Sequence, residues 1–206
     1  MNNEDMLHVF SNAIEITSLL IKQSSILCEL LDSNEDEMAT RRVSSVAEEI
    51  DSLVMQQSII EYDMDLKNDP QAIYLFDFYN LMLDISKNID YVGRAFIRYN
   101  IHGVKEEIYG PIIDIDKSNK ILMDIFVHLK NGVDKKNSIP KILELRKLYF
   151  INSNRYDENM KVLFSDPDDV LEVIKMRALY TAINRVYLCF NDMVTLLMKY
   201  FMFANN

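Results

Sequence analysis

The chain has 206 residues, of which 49% are hydrophobic and 26% charged, so it can bury a core of about one domain, and wholesale disorder is excluded. A formal net charge of −10 argues against nonspecific nucleic-acid binding, which needs a basic surface. With only four glycines and four prolines, the sequence favours long helices over the strands and turns of a β-sandwich or barrel.

The first two helices are predicted from the spacing of their apolar residues. Over residues 5–31 these residues recur at alternating intervals of three and four, the stripe of a bundle helix. A polar and acidic turn follows at 32–36. The next helix carries its apolar face over residues 43–64.

The third helix is predicted over residues 70–100 and is apolar nearly all round. Pro70 follows an Asp, which matches an Asp N-cap with Pro at the first helical position. Gly93 lies inside this helix, and we expect it to permit the close approach of another helix. Gly103 indicates a helix end nearby.

Three more helices are predicted in the second half. Pro111 predicts a break, after which the fourth helix covers residues 112–130 and ends at Gly132. Pro140 predicts the start of the fifth helix, which continues to about residue 164. The sixth is predicted over residues 167–203, again with an Asp directly before the proline at its first position.

The Asp-Pro starts of the third and sixth helices suggest a weak internal repeat. Asn68-Asp69-Pro70 matches Ser165-Asp166-Pro167, and in each half a long, late helix closes the unit. We therefore expect one all-α domain over residues 1–206, an elongated six-helix bundle made of two related three-helix units. The halves are approximately residues 1–102 and 103–206.

The sequence lacks common catalytic and targeting signatures. It has no Gly-rich phosphate loop, no His-Glu-x-x-His and no Gly-x-Ser-x-Gly, and its three histidines are scattered. Cys28 and Cys189 lie in apolar helical patterns, typical of buried cysteines in a reducing compartment. No signal peptide or membrane span is indicated, so we expect a cytoplasmic protein, peripheral to a membrane at most, that is not an enzyme.

The end of the chain carries a dense apolar cluster. Core filling and contact with a second copy are its commonest explanations, so a homodimer is possible, and a hydrophobic ligand groove is the less common one. The cluster comprises Met193, Met198, Tyr200, Phe201, Met202 and Phe203.

In helix order and spacing the sequence resembles the PhoU-like phosphate transport regulators, in the branch associated with inorganic phosphate permeases. The resemblance covers nearly the whole chain and includes no sharp catalytic signature. Its closest segments are residues 43–51, 81–85, 88–95, 163–164, 173–175, 179–180 and 198–199.

The resemblance implies acidic pairs, four residues apart, that hold a cluster of metal ions in each half. Residues four apart share one helical face, and facing carboxylates make an oxygen-rich cradle for such ions. This sequence departs from that pattern at six of the eight positions. The four aligned pairs are Ala47 and Asp51, Asp84 and Asn88, Tyr149 and Ser153, and Asn184 and Leu188.

Only Asp51 and Asp84 retain a carboxylate, and Glu48 is a possible substitute in the first half. Two carboxylates cannot neutralise a multi-metal cluster, so we expect no cofactor, or at most one weakly bound divalent ion held by these vestigial positions. The other interpretation is that both acids are solvated, or are paired with Asn88 or a nearby lysine.

The resemblance implies a regulatory or accessory protein that acts by protein contact, with an inorganic phosphate permease as the expected partner. Residues 1–40 contain eight Asp or Glu and one Lys, an acidic surface suited to basic cytoplasmic loops. The alternative is a metal-free helical interaction scaffold that has lost the link to phosphate transport.

Overall fold

The computed structural model describes residues 3–32, 37–63, 70–101, 106–132, 135–165 and 169–203. Within these ranges the chain is all-helical and forms a bundle, which confirms the predicted class. At 1.5 Å per residue, helices of 25 to 34 residues are about 38 to 51 Å long. The helices are α1 (Asn3–Asp32), α2 (Glu37–Asp63), α3 (Pro70–Arg98), α4 (Glu106–Lys130), α5 (Lys135–Ser165) and α6 (Val170–Phe203).

Three of the predicted helix boundaries are confirmed. Pro70 is the first residue of α3. Just after the end of α3, Asn100 adopts a left-handed φ of 49°, and the Ile101 N–H donates to the Phe96 carbonyl. Gly132 has a φ of 111° just beyond the end of α4, a conformation that favours glycine. Gly103, the other predicted helix end, lies outside the described residues.

The expectations for Pro111 and Pro140 were wrong. Pro111 lies inside α4, which begins at Glu106, and Pro140 lies inside α5, which begins at Lys135. Each proline is the sixth residue of its helix, where the missing N–H removes one intrahelical hydrogen bond and the helix continues. Pro111 is buried, and its carbonyl accepts a hydrogen bond from the Tyr187 hydroxyl on α6.

The start of α6 also differs from its prediction. The helix begins at Val170, where the Asp169 carboxylate accepts a hydrogen bond from the Leu171 N–H at 2.8 Å. Asp169 is therefore the N-cap. The Asp-Pro pair at 166–167, on which the internal repeat depended, lies outside the described residues.

The packing of the bundle follows a simple order. Both α1 and α3 contact α2, and both α4 and α6 contact α5. The two sets of three helices meet where α1 packs on α4 and α3 packs on α6. The core between them contains large, fully buried side chains from five helices, including Ile16, Leu20, Ile50, Phe78, Tyr79, Met82, Phe126, Tyr187, Phe190 and Tyr200.

Polar contacts fix the register between α1 and α4. Ser24 donates to the Asp116 carboxylate at 3.0 Å, and Asn119 donates to the Leu20 carbonyl at 3.1 Å. Residue 20 of α1 contacts residue 119 of α4, and residue 24 contacts residue 116. Residue numbers therefore increase in opposite directions along the two helices, so they run antiparallel. None of the described helices contains a stretch long and apolar enough to cross a bilayer.

At Gly93 on α3 the neighbouring helix is at ordinary contact distance, so the approach does not depend on the glycine that was expected to permit it. A Cβ at this position would lie 3.5 Å from Cγ1 of Val43 on α2, an ordinary van der Waals contact. Thr40, one turn earlier on α2, donates to the Gly93 carbonyl at 3.5 Å. The two helices are therefore close at this point, although a methyl group would still fit.

Candidate functional site

Asp51 and Asp84 lie on neighbouring helices, near the surface. Asp51 on α2 is half-buried, and its Oδ1 is 3.2 Å from Nζ of Lys87 on α3. Asp84 on α3 is exposed, and its backbone carbonyl accepts a hydrogen bond from the Asn88 amide at 2.8 Å. Asp51 thus contacts α3 through a lysine ammonium group.

This arrangement fits a metal ion poorly. A cation bound at Asp51 would compete with the ammonium group of Lys87, which already neutralises that carboxylate. Among the residues that the structure describes, no group of three or more His, Cys, Asp or Glu side chains is placed to hold a metal ion. A single weakly bound ion at Asp51 and Asp84 stays a prediction.

The other aligned positions lie in packed or polar surroundings. Ala47 is buried, Asn88 donates to Cys189 Sγ at 3.5 Å, and the Tyr149 ring lies 5.1 Å from the Phe150 ring. Leu188 is exposed. These side chains offer no carboxylate oxygen, so the structure provides no replacement for the missing acids at these positions.

Asp90 is a buried carboxylate that the sequence reasoning missed. It lies on α3, where Ser44 of α2 donates to its Oδ1 at 2.6 Å and Arg94 forms an ion pair with its Oδ2. The hydrogen bond that Arg94 donates to Asp90 raises the pKa of Arg94. The four-residue spacing of Asp90 and Arg94 is a signal that the sequence contains.

A second missed network joins α4 to α5. Oδ2 of Asp114 accepts hydrogen bonds from Arg155 at 2.8 Å and from the buried amide of Asn152 at 3.1 Å. Oδ1 of Asn184 is buried nearby without a hydrogen-bond partner, beside a cavity of about 10 Å³. That volume holds one water molecule at most, while Arg155 also lines an open groove of about 450 Å³ between α4 and α5.

The buried ionisable groups are not activated for catalysis. Burial raises the pKa of the Cys189 thiol to about 11, and the carboxylates of Asp84 and Asp192 add to the effect. Burial also raises the pKa of Tyr187 well above its usual value. A nucleophilic thiol needs the opposite shift, because the thiolate is the reactive form.

The end of α5 and the start of α6 expose four large apolar side chains. Val162 is 74% exposed, Phe164 52%, Val170 70% and Leu171 58%. These four residues, here called the apolar tip, lie on consecutive helices that are separated by four residues in the sequence. Contiguous exposed apolar surface marks a contact site more often than scattered single residues do, and the exposure of these four side chains makes the region a candidate for one.

Several carboxylates lie close to the apolar tip in the sequence. Asp157, Glu158 and Asp169 are exposed, and Glu172 is half-buried. Over residues 157–172 the sequence has six Asp or Glu and one Lys. The surface around the tip is therefore acidic, which favours a basic partner and disfavours an anionic one.

The C-terminal apolar cluster is divided between core and surface. Met193, Tyr200 and Phe201 are buried, whereas Met198 is 38% exposed and Met202 69% exposed. The sequence could have pointed to the tip instead, because Val162, Leu163 and Phe164 are consecutive. Three consecutive residues of a helix cannot all face one core.

The chain was compared with protein-family models and with curated proteins, and it matches neither.

Proposed function

We propose that the chain is a non-enzymatic regulatory or accessory protein that acts by protein–protein contact, with an inorganic phosphate permease as its partner. The observation that carries the contact role is the apolar tip, whose four large side chains are exposed. The resemblance in helix order to the PhoU-like regulators supports the identity of the partner.

We also propose that the bundle consists of two related three-helix units, as in that family. The helix contacts support this, because α2 packs with α1 and α3 in the same way as α5 packs with α4 and α6. Under a rotation that exchanges the units, α1 corresponds to α4 and α3 to α6.

Charge supports the choice of partner. Cytoplasmic loops of membrane proteins carry an excess of Lys and Arg. An apolar contact with an acidic rim would bind such a loop through its apolar side chains, while the rim carboxylates would favour the basic flanks. Asp157, Glu158 and Asp169 are the exposed rim residues.

A metal-free interaction scaffold without a link to phosphate transport is the second candidate. The ion pair between Asp51 and Lys87 favours it, because this lysine pairs with one of the two carboxylates retained at the positions where the PhoU-like pattern implies metal ligands. Both candidates use the apolar tip, and they differ in what binds there.

Co-purification from membranes that contain the permease tests the proposal. We expect the permease to co-purify with tagged wild-type chain and to be lost with the double variant Val170→Ser/Leu171→Ser. Met202→Ser is the matched control, because Met202 is equally exposed at the other end of α6. Recovery of the permease with the tip variant would contradict the proposal, and a tip-dependent partner other than a permease would favour the scaffold.

A further inference from the structure

A shallow basic groove lies between α3 and α6, about one helical turn beyond the apolar tip. It is lined by Tyr91 on α3 and, on α6, by Arg177, Thr181 and Arg185 together with Ile174, Ala178 and Ala182. The volume of the groove is about 290 Å³. In a chain with a net charge of −10, two arginines lining one groove are a local reversal of charge.

These two arginines differ from the other six in the chain. Arg41, Arg42, Arg94 and Arg155 form ion pairs with carboxylates, and Arg98 and Arg146 lie over aromatic rings. Arg177 and Arg185 are exposed and have neither kind of partner within the described part of the chain.

The sequence around them explains this difference. Arg41 and Arg94 each pair with an acid four residues earlier on the same helix. The residues three and four positions from Arg177 and Arg185 include no Asp or Glu. Both guanidinium groups are thus left available for an external carboxylate.

The spacing of the arginines indicates the shape of the ligand. They are eight residues apart, so their backbones are separated by about 12 Å along the same side of α6. Side chains lean towards the N-terminus of a helix, which keeps the two charged groups apart instead of converging on one small anion. Two alanines and Thr181 leave room between them for small or apolar side chains.

A third arginine, Arg98, lies beside the lining residue Tyr91 on the α3 side of the groove. The Arg98 guanidinium lies 5.5 Å from the centre of the Tyr91 ring. A cation over an aromatic ring is a favourable contact that needs no carboxylate. Its charge therefore adds to those of Arg177 and Arg185.

We propose that this groove binds an acidic helical segment of a partner protein, with two carboxylates about two turns apart that pair with Arg177 and Arg185. The inference goes beyond the proposed function, because the apolar tip has an acidic rim and fits a basic segment. The chain would then have two contact surfaces of opposite charge.

Fluorescence anisotropy with two synthetic helical peptides tests the groove on the full chain. One peptide has two glutamates two turns apart with alanine and leucine between them, and the other has lysines in place of the glutamates. We expect wild type to bind the acidic peptide only, and Arg177→Ala/Arg185→Ala to bind it about tenfold more weakly. Arg41→Ala/Arg42→Ala, which removes the same charge from α2, should bind it as wild type does.

Three results would overturn the inference. The first is that both double variants bind the acidic peptide equally weakly. The second is that wild type does not bind the acidic peptide. The third is that inorganic phosphate binds at the two arginines and displaces the peptide. Val170→Ser/Leu171→Ser should leave peptide binding unchanged. Failure at the groove is therefore distinguishable from failure of the permease contact.

Discussion

The two ends of α6 use the same kind of side chain in opposite ways. At its start, Val170 and Leu171 are exposed, whereas at its end Tyr200 and Phe201 are buried beside the exposed Met202. The buried end is sealed by other helices, because the Tyr200 ring lies 5.8 Å from the Phe10 ring and 6.0 Å from the Phe78 ring. Apolar composition alone therefore does not distinguish core from contact surface in this helix. What distinguishes them is whether other helices of the bundle cover the side chains.

Buried apolar side chains of α6 contribute to the stability of the fold, whereas its exposed ones can contribute only to binding a partner. Burial of apolar area at the C-terminal end of α6 stabilises the fold by about 25 cal/mol for each Å² removed from water. At the apolar tip most of that area remains in water, so the same gain is available only when a partner covers it. Substitutions at the two ends should consequently change different measurements.

Phe126→Ala should have the largest effect on stability. Phe126 is fully buried on α4, 5.6 Å from the Phe78 ring, and its loss leaves a cavity. We expect the free energy of unfolding in urea to fall by about 3–5 kcal/mol. Phe164→Ala at the tip is the matched control, with a change of about 0.5 kcal/mol or less. Equal losses would contradict the contrast between the buried core and the apolar tip.

Asp114→Ala should have the next largest effect. It removes the acceptor of Arg155 and of the buried Asn152 amide, so we expect a loss of about 1–3 kcal/mol in the same urea titration. Asp51→Ala removes only a surface ion pair and should cost between about 0 and 1 kcal/mol. A larger loss for Asp51 would show that its carboxylate has a further partner.

Gly93→Ala should stabilise the protein slightly. The added methyl group would be in ordinary contact with Val43, and alanine is favoured over glycine inside a helix by about 0.5–1 kcal/mol. The thermal midpoint should therefore rise or stay unchanged. A clear decrease would mean that α2 and α3 are packed more tightly than the distance of 3.5 Å indicates.

The Cys189 thiol should make stability fall at high pH. An unfolded thiol ionises near its ordinary pKa of 9.0, whereas burial raises the pKa of Cys189 in the folded protein to about 11. The unfolded state is therefore increasingly favoured as the pH rises from 9.0 to about 11. Below pH 9.0 the thiol is protonated in both states, so the effect is absent. Cys189→Ala should show a smaller decrease in urea midpoint over this range than wild type, and an identical decrease would contradict this origin.

The positions of the helices could be predicted because apolar spacings of three and four identify a buried stripe without any knowledge of its neighbours. The helix starts at Glu106 and Lys135 could not be predicted from Pro111 and Pro140. A proline in the second turn costs one hydrogen bond, and the packing of the rest of the helix outweighs that cost.

The candidate sites were harder to predict than the helices. Asp51 and Asp84 were chosen by resemblance, yet the buried acid of α3 is Asp90. A buried carboxylate depends on the groups that tertiary structure brings to it, such as Ser44 from α2. Exposure at Val170 and Leu171 likewise depends on which helices reach the end of the bundle.

Binding of the purified chain to a phosphate permease in lipid nanodiscs tests the central claim most directly. Wild type is compared with Val170→Ser/Leu171→Ser and with Met202→Ser, after equal urea midpoints have shown that all three are equally folded. We expect Met202→Ser to bind as wild type does and the tip variant to bind at least about tenfold more weakly. Equal affinity of the tip variant and wild type would contradict the claim that the apolar tip is the partner-binding surface.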